Sequence, residues 1–181
     1  YRKLYTITII NNVNDGDVYE AGKTKVGGTV PLKAAPIRGY RFKSWKVLDG
    51  NADVSGAELT LKGAGNVVVQ AEYVELYNLT VKYGTAADAY GAPAASAAAG
   101  DSITATATDP TPDQIFTGWK VEGGDIGLTE EQLKNNTSIT FSMPDSEVTL
   151  TATYSYVHDQ TVTVVNGTAY TGDNTTPAAT I

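Results

Sequence analysis

The sequence predicts an all-β protein of two tandem small β modules, followed by the start of a third repeat. Composition is the first reason: the chain of 181 residues is 41% hydrophobic and rich in Thr, Val, Ala and Gly. β-branched and aromatic side chains fit the pleated, half-buried surface of a sheet. The second reason is apolar and polar alternation at a period of two, as in "LYTITI" (4–9). The third is that the whole pattern recurs, and we expect five to six short antiparallel or mixed strands per copy in an elongated array.

The repeat is clearest at an aromatic motif, which reads "YRFKSWKV" (40–47) in the first copy and "QIFTGWKV" (114–121) in the second. Both tryptophans of the chain and two of its three phenylalanines belong to these segments. Because an internal repeat determines the whole architecture, repeats are identified before any strand or helix is assigned. Three further segments match between the copies: "LYTITI" with "LYNLTV" (76–81), "GGTVPLKAAP" (27–36) with "GDSITATATDP" (100–110), and "NVVVQAEY" (66–73) with "EVTLTATY" (147–154).

Turn-forming clusters of Gly, Asn and Asp separate the predicted strands of the first copy. They are "NNVNDGD" (11–17), "DGNAD" (49–53) and "GAGN" (63–66). The second copy is longer around "GLTEEQLK" (127–134), which predicts a helical turn or two on the surface. There Thr129 fits an N-cap, and Glu130 and Glu131 suit the first turn of a helix. Capping is a better account of this carboxylate pair than glycoside hydrolysis.

The matched segments define the domain boundaries. We expect repeat modules at 4–75 and 76–156, with 1–3 as the tail of a preceding repeat and 157–181 as the truncated start of another. Only three residues separate Tyr73 from Tyr77, and such a short joint should hold neighbouring modules in a fixed stagger. The strand pattern in 160–181 lacks partners, so we expect it to fray or to add to an exposed edge.

Each module is expected to depend on its own aromatic core. A module of roughly 75 residues buries only about 60% of the surface of its unfolded chain, so one Trp and one Phe carry a large share of its stability. The predicted core residues are Phe42, Trp45, Val47 and Tyr73 in the first module and Phe116, Trp119, Val121 and Tyr154 in the second.

At this point the chain resembles a known family, the divergent internalin-type B repeat. The resemblance rests on "YTITI", a "YEAG" turn (19–22), "GYRFKSW" and the endings "VVVQAEY" and "ITFSMPDSEVTLTATY" (139–154). The first copy has "KGAGN" (62–66) where the family has Met-Pro, and the second has an Ala-rich stretch (90–100) in place of Tyr-Glu-Ala-Gly. The resemblance implies a spacer or stalk of a bacterial cell-surface or secreted protein, typical of Gram-positive bacteria. Some related repeats are similar to a β-grasp fold and others to a small β-sandwich.

Charge and composition exclude several classes of partner and cofactor. A net charge of −7 and an isoelectric point near 4.6 argue against nucleic acid. The sequence contains no cysteine and no long apolar run, which argues against thiolate metal sites and a membrane span in this segment. We expect no cofactor and no enzymatic activity. The expected partners are neighbouring repeats of the same chain, with host protein or glycan as further candidates.

Four weaker signals remain. A loose calcium site at Asp15, Asp17 and Glu20 is possible in principle, although the EF-hand pattern fails there and a hairpin turn is the better interpretation. His158 is interpreted as a solvated residue between repeats. Lys46 and Lys120 follow each Trp, but alternation turns them outward, which disfavours an internal isopeptide bond. The alternative function, an adhesin or carbohydrate-binding module, would use tyrosines near predicted turns: Tyr19, Tyr40, Tyr83, Tyr90 and Tyr170.

Overall fold

The chain folds into two small β modules, as predicted. A computed structural model describes residues 2–13 and 17–157 in full and the backbone of three short strands that follow. The first module has seven strands: β1 (Tyr5–Asn11), β2 (Val18–Thr24), β3 (Thr29–Pro31), β4 (Tyr40–Asp49), β5 (Ala52–Ser55), β6 (Glu58–Leu61) and β7 (Val67–Glu75). The second has seven more and a helix: β8 (Tyr77–Lys82), β9 (Gly84–Asp88), β10 (Ser96–Ala97), β11 (Ser102–Ala107), β12 (Gln114–Gly123), α1 (Glu130–Asn135), β13 (Ser138–Ser142) and β14 (Val148–Tyr156).

Each module consists of two sheets packed face to face. In the first module a four-stranded sheet has the order β2-β1-β7-β4, and a three-stranded sheet has the order β3-β6-β5. The central pair β1 and β7 is parallel, whereas β1–β2 and β4–β7 are antiparallel. The second module repeats the larger sheet as β10-β8-β14-β12, again with a parallel central pair. The β-grasp alternative required a grasped helix against the sheet, and the second sheet of each module occupies that place instead.

The core of each module lies between its two sheets. Alternation puts every second residue of a strand on one face, and the buried residues follow that rule. The first core contains Ile7, Ile9, Val30, Leu32, Leu59, Leu61, Val67, Val69, Ala71 and Tyr73. The second contains Leu79, Ala97, Ile103, Ala105, Ala107, Trp119, Ile126, Ile139, Phe141, Met143, Val148, Leu150 and Ala152. The two sets share no residue, so each module has its own interior.

A β-bulge explains why the two aromatics of the repeated motif lie three residues apart. In a regular strand such residues would face opposite sides of the sheet. The register of β4 on β7 shifts between Phe42 and Ser44, so Phe42 lies opposite Tyr73 and Trp45 lies opposite Ala71. One extra residue, Lys43, therefore puts both aromatics on the same face. The register of β12 on β14 shifts in the same way between Phe116 and Gly118.

The bulge assembles an aromatic trio in each module. The ring centroid of Phe42 lies 5.0 Å from that of Trp45 and 6.0 Å from that of Tyr73. In the second module the ring of Phe116 lies 6.0 Å from Trp119 and 5.9 Å from Tyr154. These separations suit tilted and edge-to-face contacts, which contribute beyond the area that they bury.

The predicted core residues are not all equally buried. Trp119 and Tyr73 are buried, whereas Trp45, Val47, Phe116, Val121 and Tyr154 are partly buried and pack against the cores. Phe42 differs from the expectation: it is 37% exposed and lies over Trp45 and Tyr73 at the rim of the core. Phe42 lies near the start of β4 and is not among the residues that pack against the first core.

One local expectation was wrong, and another was confirmed. The segment "YEAG" was expected to turn, but it lies inside β2, where a register shift near Ala21 interrupts the pairing with β1. With this strand the first module has seven strands rather than five to six. The predicted surface helix is confirmed as α1, and Thr129 and Gln132 form a reciprocal capping box at its start.

The segment after the second module, predicted as the start of a third repeat, contains a small three-stranded sheet. Strands β15 (Val164–Val165), β16 (Thr168–Tyr170) and β17 (Pro177–Thr180) pair antiparallel in the order β15-β16-β17. We expected this segment to fray or to add to a neighbouring edge. In the structure these short strands pair with one another instead.

The separate interiors lead to a prediction for the two tryptophans. Trp119 is 6% exposed, and its indole N–H donates to the carbonyl oxygen of Asn136 (3.0 Å). We expect Trp119→Ala to lower the free energy of unfolding of the second module by about 3–5 kcal/mol. Trp45 is half-buried, so Trp45→Ala should lower that of the first module by roughly 2 kcal/mol.

Urea denaturation followed by fluorescence and circular dichroism checks both values. Each variant keeps a single Trp, whose fluorescence reports on the unmutated module and serves as the internal control. If Trp119→Ala also shifted the transition reported by Trp45 to the same extent, the two interiors would not be independent.

Candidate functional site

The joint between the modules is the first candidate site. Strand β7 ends at Glu75 and β8 begins at Tyr77, so a single residue links the two larger sheets. The backbone N–H of that residue, Leu76, donates to the carbonyl oxygen of Gly39 (2.8 Å). The linker is therefore tied to the first module, and it has little freedom to act as a flexible hinge.

An ion pair spans the joint. The guanidinium of Arg41, on β4, binds the carboxylate of Asp101 through two hydrogen bonds, Nη1–Oδ2 at 2.8 Å and Nη2–Oδ1 at 2.9 Å. Paired, parallel hydrogen bonds of this kind fix orientation as well as distance. We call this contact the joint ion pair.

Local backbone contacts hold Asp101 in place. Its Oδ2 accepts from the N–H of Ala98 (3.0 Å), and its own N–H donates to the carbonyl oxygen of Ala98 (3.0 Å). Its carbonyl oxygen accepts from the N–H of the buried Met143 (2.8 Å). The carboxylate is thus presented to Arg41 by a turn that is anchored in the second core.

The electrostatics of the joint follow from this geometry. The hydrogen bond from Arg41 lowers the pKa of Asp101, and the same contact raises the pKa of Arg41. Nearby, desolvation and the charge of Glu75 raise the pKa of Tyr77, whose hydroxyl lies 3.4 Å from Oε2 of Glu75. The joint ion pair is solvent-accessible, so dissolved salt screens it.

Sequence reasoning missed the joint ion pair. Comparison of the two copies could have pointed to it, because Ile115 stands where Arg41 stands, and Gly28 stands where Asp101 stands. A charged residue that only one copy carries is a signal for a contact specific to one end of one module.

The second candidate site is a groove on the second module. It has a volume of about 620 Å³ and lies where β8, the loop before β12 and the end of β14 meet. It is lined by Tyr83, Thr108, Asp109, Thr111, Gln114, Thr151, Ala152, Thr153 and Tyr154. The hydroxyl of Tyr154 donates to the carbonyl oxygen of Thr108, which fixes one wall. Burial and the charge of Asp109 raise the pKa of Tyr154.

Tyr83 is the unusual residue of this groove. Its φ is 58°, which makes it the one non-glycine residue with a positive φ in the described part of the chain. A left-handed conformation costs an L-residue other than Gly or Asn roughly 1–2 kcal/mol. Its side chain is nevertheless 69% exposed, so burial of the ring does not offset the strain.

The other tyrosines proposed for ligand binding have different surroundings. Tyr19 and Tyr40 pack against the first core, and the Tyr19 hydroxyl donates to the carbonyl oxygen of Lys33 (2.9 Å). Burial raises the pKa of Tyr19. Tyr90 is 95% exposed in a turn. The side chain of Tyr170 lies outside the described residues.

The remaining sequence signals are placed as follows. Asp15 and His158 lie outside the described residues, and Asp17 accepts a hydrogen bond from the Asn11 amide (3.2 Å). Within residues 2–13 and 17–157, no group of three His, Cys, Asp or Glu side chains is arranged to hold a metal ion.

The lysines that follow each Trp lie on the surface. Lys46 is exposed, and Lys120 forms an ion pair with Glu122 (2.6 Å). Glu130 and Glu131 lie in the first turn of α1.

Comparison with known proteins identifies both modules. A family model described as a divergent InlB B-repeat domain matches residues 5–75 and again residues 77–158. No curated protein and no solved structure matches the chain. None of the described helices has the length and hydropathy needed to cross a membrane.

The strain at Tyr83 generates a testable prediction. Asn adopts the left-handed conformation more readily than Tyr, and Asn166 stands at the position of Tyr83 in "VTVVNGT" (162–168), a segment similar to "LTVKYGT" (79–85). We therefore expect Tyr83→Asn to raise the free energy of unfolding of the second module by about 1 kcal/mol. Thermal or urea denaturation measures the change.

Tyr90→Asn is the matched control, because Tyr90 is also exposed but has no positive φ. Its effect should stay within about 0.5 kcal/mol. A lower stability of Tyr83→Asn would show that contacts of the ring outweigh the backbone strain.

Proposed function

The chain belongs to the divergent InlB B-repeat family, and from that premise we propose that it is a non-catalytic spacer of a bacterial surface or secreted protein. Its repeats would project or link other domains on the outside of the cell, at the cell wall surface or beyond it. The proposal includes the module boundaries 4–75 and 76–156, with 1–3 and 157–181 as parts of flanking repeats. The partners of each module are then its neighbours in the same chain.

The joint between the modules carries this proposal. A spacer transmits position only if consecutive modules keep a fixed orientation. The one-residue linker at Leu76 and the bidentate joint ion pair, at 2.8 and 2.9 Å, restrict that orientation at two separate points. A chain of independent modules on a flexible tether would need neither feature.

The acidic character of the chain also supports an exposed role. A net charge of −7 keeps a repetitive β protein soluble and disfavours association of its copies. At the joint, the opposite charges of Arg41 and Asp101 attract the two modules to each other.

The proposal is tested by measuring the distance between the modules. The chain has no cysteine, so Ser55→Cys and Ser142→Cys, both at exposed positions of different modules, can carry two spin labels. Double electron–electron resonance should give one narrow distance distribution. A broad distribution in the otherwise unchanged protein would contradict a fixed joint and with it the spacer function.

Because the joint ion pair needs an ionised Asp101, the distance distribution between the two spin labels should depend on pH. The pKa of Asp101 is lowered by Arg41, so the contact is fully present above the ordinary Asp pKa of about 3.9 and is lost as the pH falls through the lowered value. We expect the distance distribution to broaden as the pH falls into that range. High salt should weaken the contact at neutral pH.

Arg41→Gln should broaden the distribution already at neutral pH, with a loss of about 0.5–1 kcal/mol in joint stability. Arg38→Gln is the matched control, because Arg38 is an exposed residue nearby that forms no ion pair with the described residues. Equal broadening in both variants would show that net charge, and not the joint ion pair, sets the orientation.

A further inference from the structure

The groove of the second module exists because two coverings of the first module are missing there. In the first module Tyr19 packs beside the edge of the core, and the Asn12 amide oxygen accepts from the backbone N–H of Tyr73 (3.1 Å). In the second module β10 pairs with β8 only at Tyr77 and Asn78. The pairing of β8 with β14 ends at Lys82 and Thr151.

The consequence is an open edge of β14 beside Tyr154. The chain turns away at Tyr83 and enters β9, in the other sheet. Thr151, Ala152 and Thr153 then form one side of the groove instead of being covered by a neighbouring strand. The Ala-rich segment 90–100 replaces the "YEAG" segment of the first copy, and its one aromatic side chain, Tyr90, is 95% exposed and lies outside the groove.

The lining of the groove combines an exposed aromatic ring with planar polar groups. Tyr83 presents its ring to solvent, and Tyr154 lies beside it. Asp109 contributes a carboxylate, Gln114 an amide and the threonines hydroxyl groups. A cleft of about 620 Å³ lies within the size range of pockets that hold small molecules.

This combination matches the chemistry of a sugar ring. One face of a pyranose carries C–H groups that stack on an aromatic ring, while its hydroxyl groups bond to carboxylate, amide and hydroxyl partners. Tyr83 combines a strained backbone with an exposed ring, and strain of this kind concentrates at functional positions. The net charge of −7 and the carboxylate of Asp109 disfavour an anionic ligand.

We propose that the groove lined by Tyr83, Asp109 and Gln114 is a binding site for a neutral saccharide. Tyr83 supplies the stacking surface, and Asp109 and Gln114 accept and donate hydrogen bonds to ring hydroxyl groups. We assign the site to the second module alone, because in the first module Tyr19 packs against the core near Tyr73, the counterpart of Tyr154. It would add glycan contact to a chain whose repeats otherwise set spacing.

The experiment uses the full chain and defined probes. The neutral probes are maltohexaose, cellohexaose and triacetylchitotriose, and a heparin-derived hexasaccharide is the anionic comparison. Titrations are followed by amide chemical shifts and by calorimetry. At least one neutral probe should bind with a dissociation constant of about 1 mM or lower and shift the amides of Tyr83, Thr108 and Thr153.

Variants assign the binding to the groove. Tyr83→Asn, which relieves the backbone strain, should weaken binding about tenfold or more, while Tyr83→Phe should retain it because the ring is kept. Tyr90→Ala removes an exposed tyrosine outside the groove and should leave binding unchanged.

Three results would overturn the proposal. One is the lack of any shift with every neutral probe at about 10 mM. Another is binding that survives Tyr83→Asn, or that Tyr90→Ala removes. The third is tighter binding of the anionic hexasaccharide than of the neutral probes. None of these results bears on the distance between the modules, so the spacer function is tested separately.

Discussion

The architecture of both modules depends on one extra residue in the central aromatic strand. Without the bulge at Lys43, Phe42 and Trp45 would lie on opposite faces of β4, and one of them would leave the core side. With it, both rings lie on the same face, and Phe42 contacts both Trp45 and the closing Tyr73. The second copy has the same shift with Thr117 as the extra residue, although Thr and Lys share little chemistry. The constraint is therefore on the backbone register, and the side chain of the bulged residue is free to vary.

Backbone contacts preserve the module where the side chains differ. In the first copy Gly27 N–H donates to the Leu61 carbonyl (2.7 Å) and Leu61 N–H donates to the Gly28 carbonyl (3.0 Å). In the second copy Gly100 and Asp101 make the same two contacts with Met143, at 2.8 Å each. The expected Met-Pro signature is thus replaced by Leu61 without loss of the geometry, because the backbone carries the contact and the side chain only has to fill the core. The smaller sheets differ more. In the first module the additional strand β5 pairs with β6, whereas in the second module the additional strand β9 pairs with β11, at the opposite edge of the sheet.

The sequence predicted what depends on periodicity and repetition. The tandem all-β organisation, the capped helix α1 and the outward direction of Lys46 all follow from local patterns, and the structure has them. The exposure of Phe42 did not follow, because alternation gives the face of a residue but not how far the opposite sheet extends over it. The joint ion pair was not predicted either, since Arg41 and Asp101 are sixty residues apart and meet only through the stagger of two modules. Predicting the groove would have required knowing which neighbouring strand ends early. Strand pairing determines this, and composition does not.

Both candidate sites lie where the sequence of the repeat can change without disturbing the fold. A repeat that keeps its register and its core can change residues at its ends and edges at low cost to folding, and these are the places where Arg41, Asp101 and Tyr83 depart from the other copies. The ends of a module face its neighbours, so changes there adjust orientation. The edges face solvent, so changes there can create a ligand surface. Position and recognition can therefore vary independently within one chain, because Arg41, Asp101 and Tyr83 lie outside both cores.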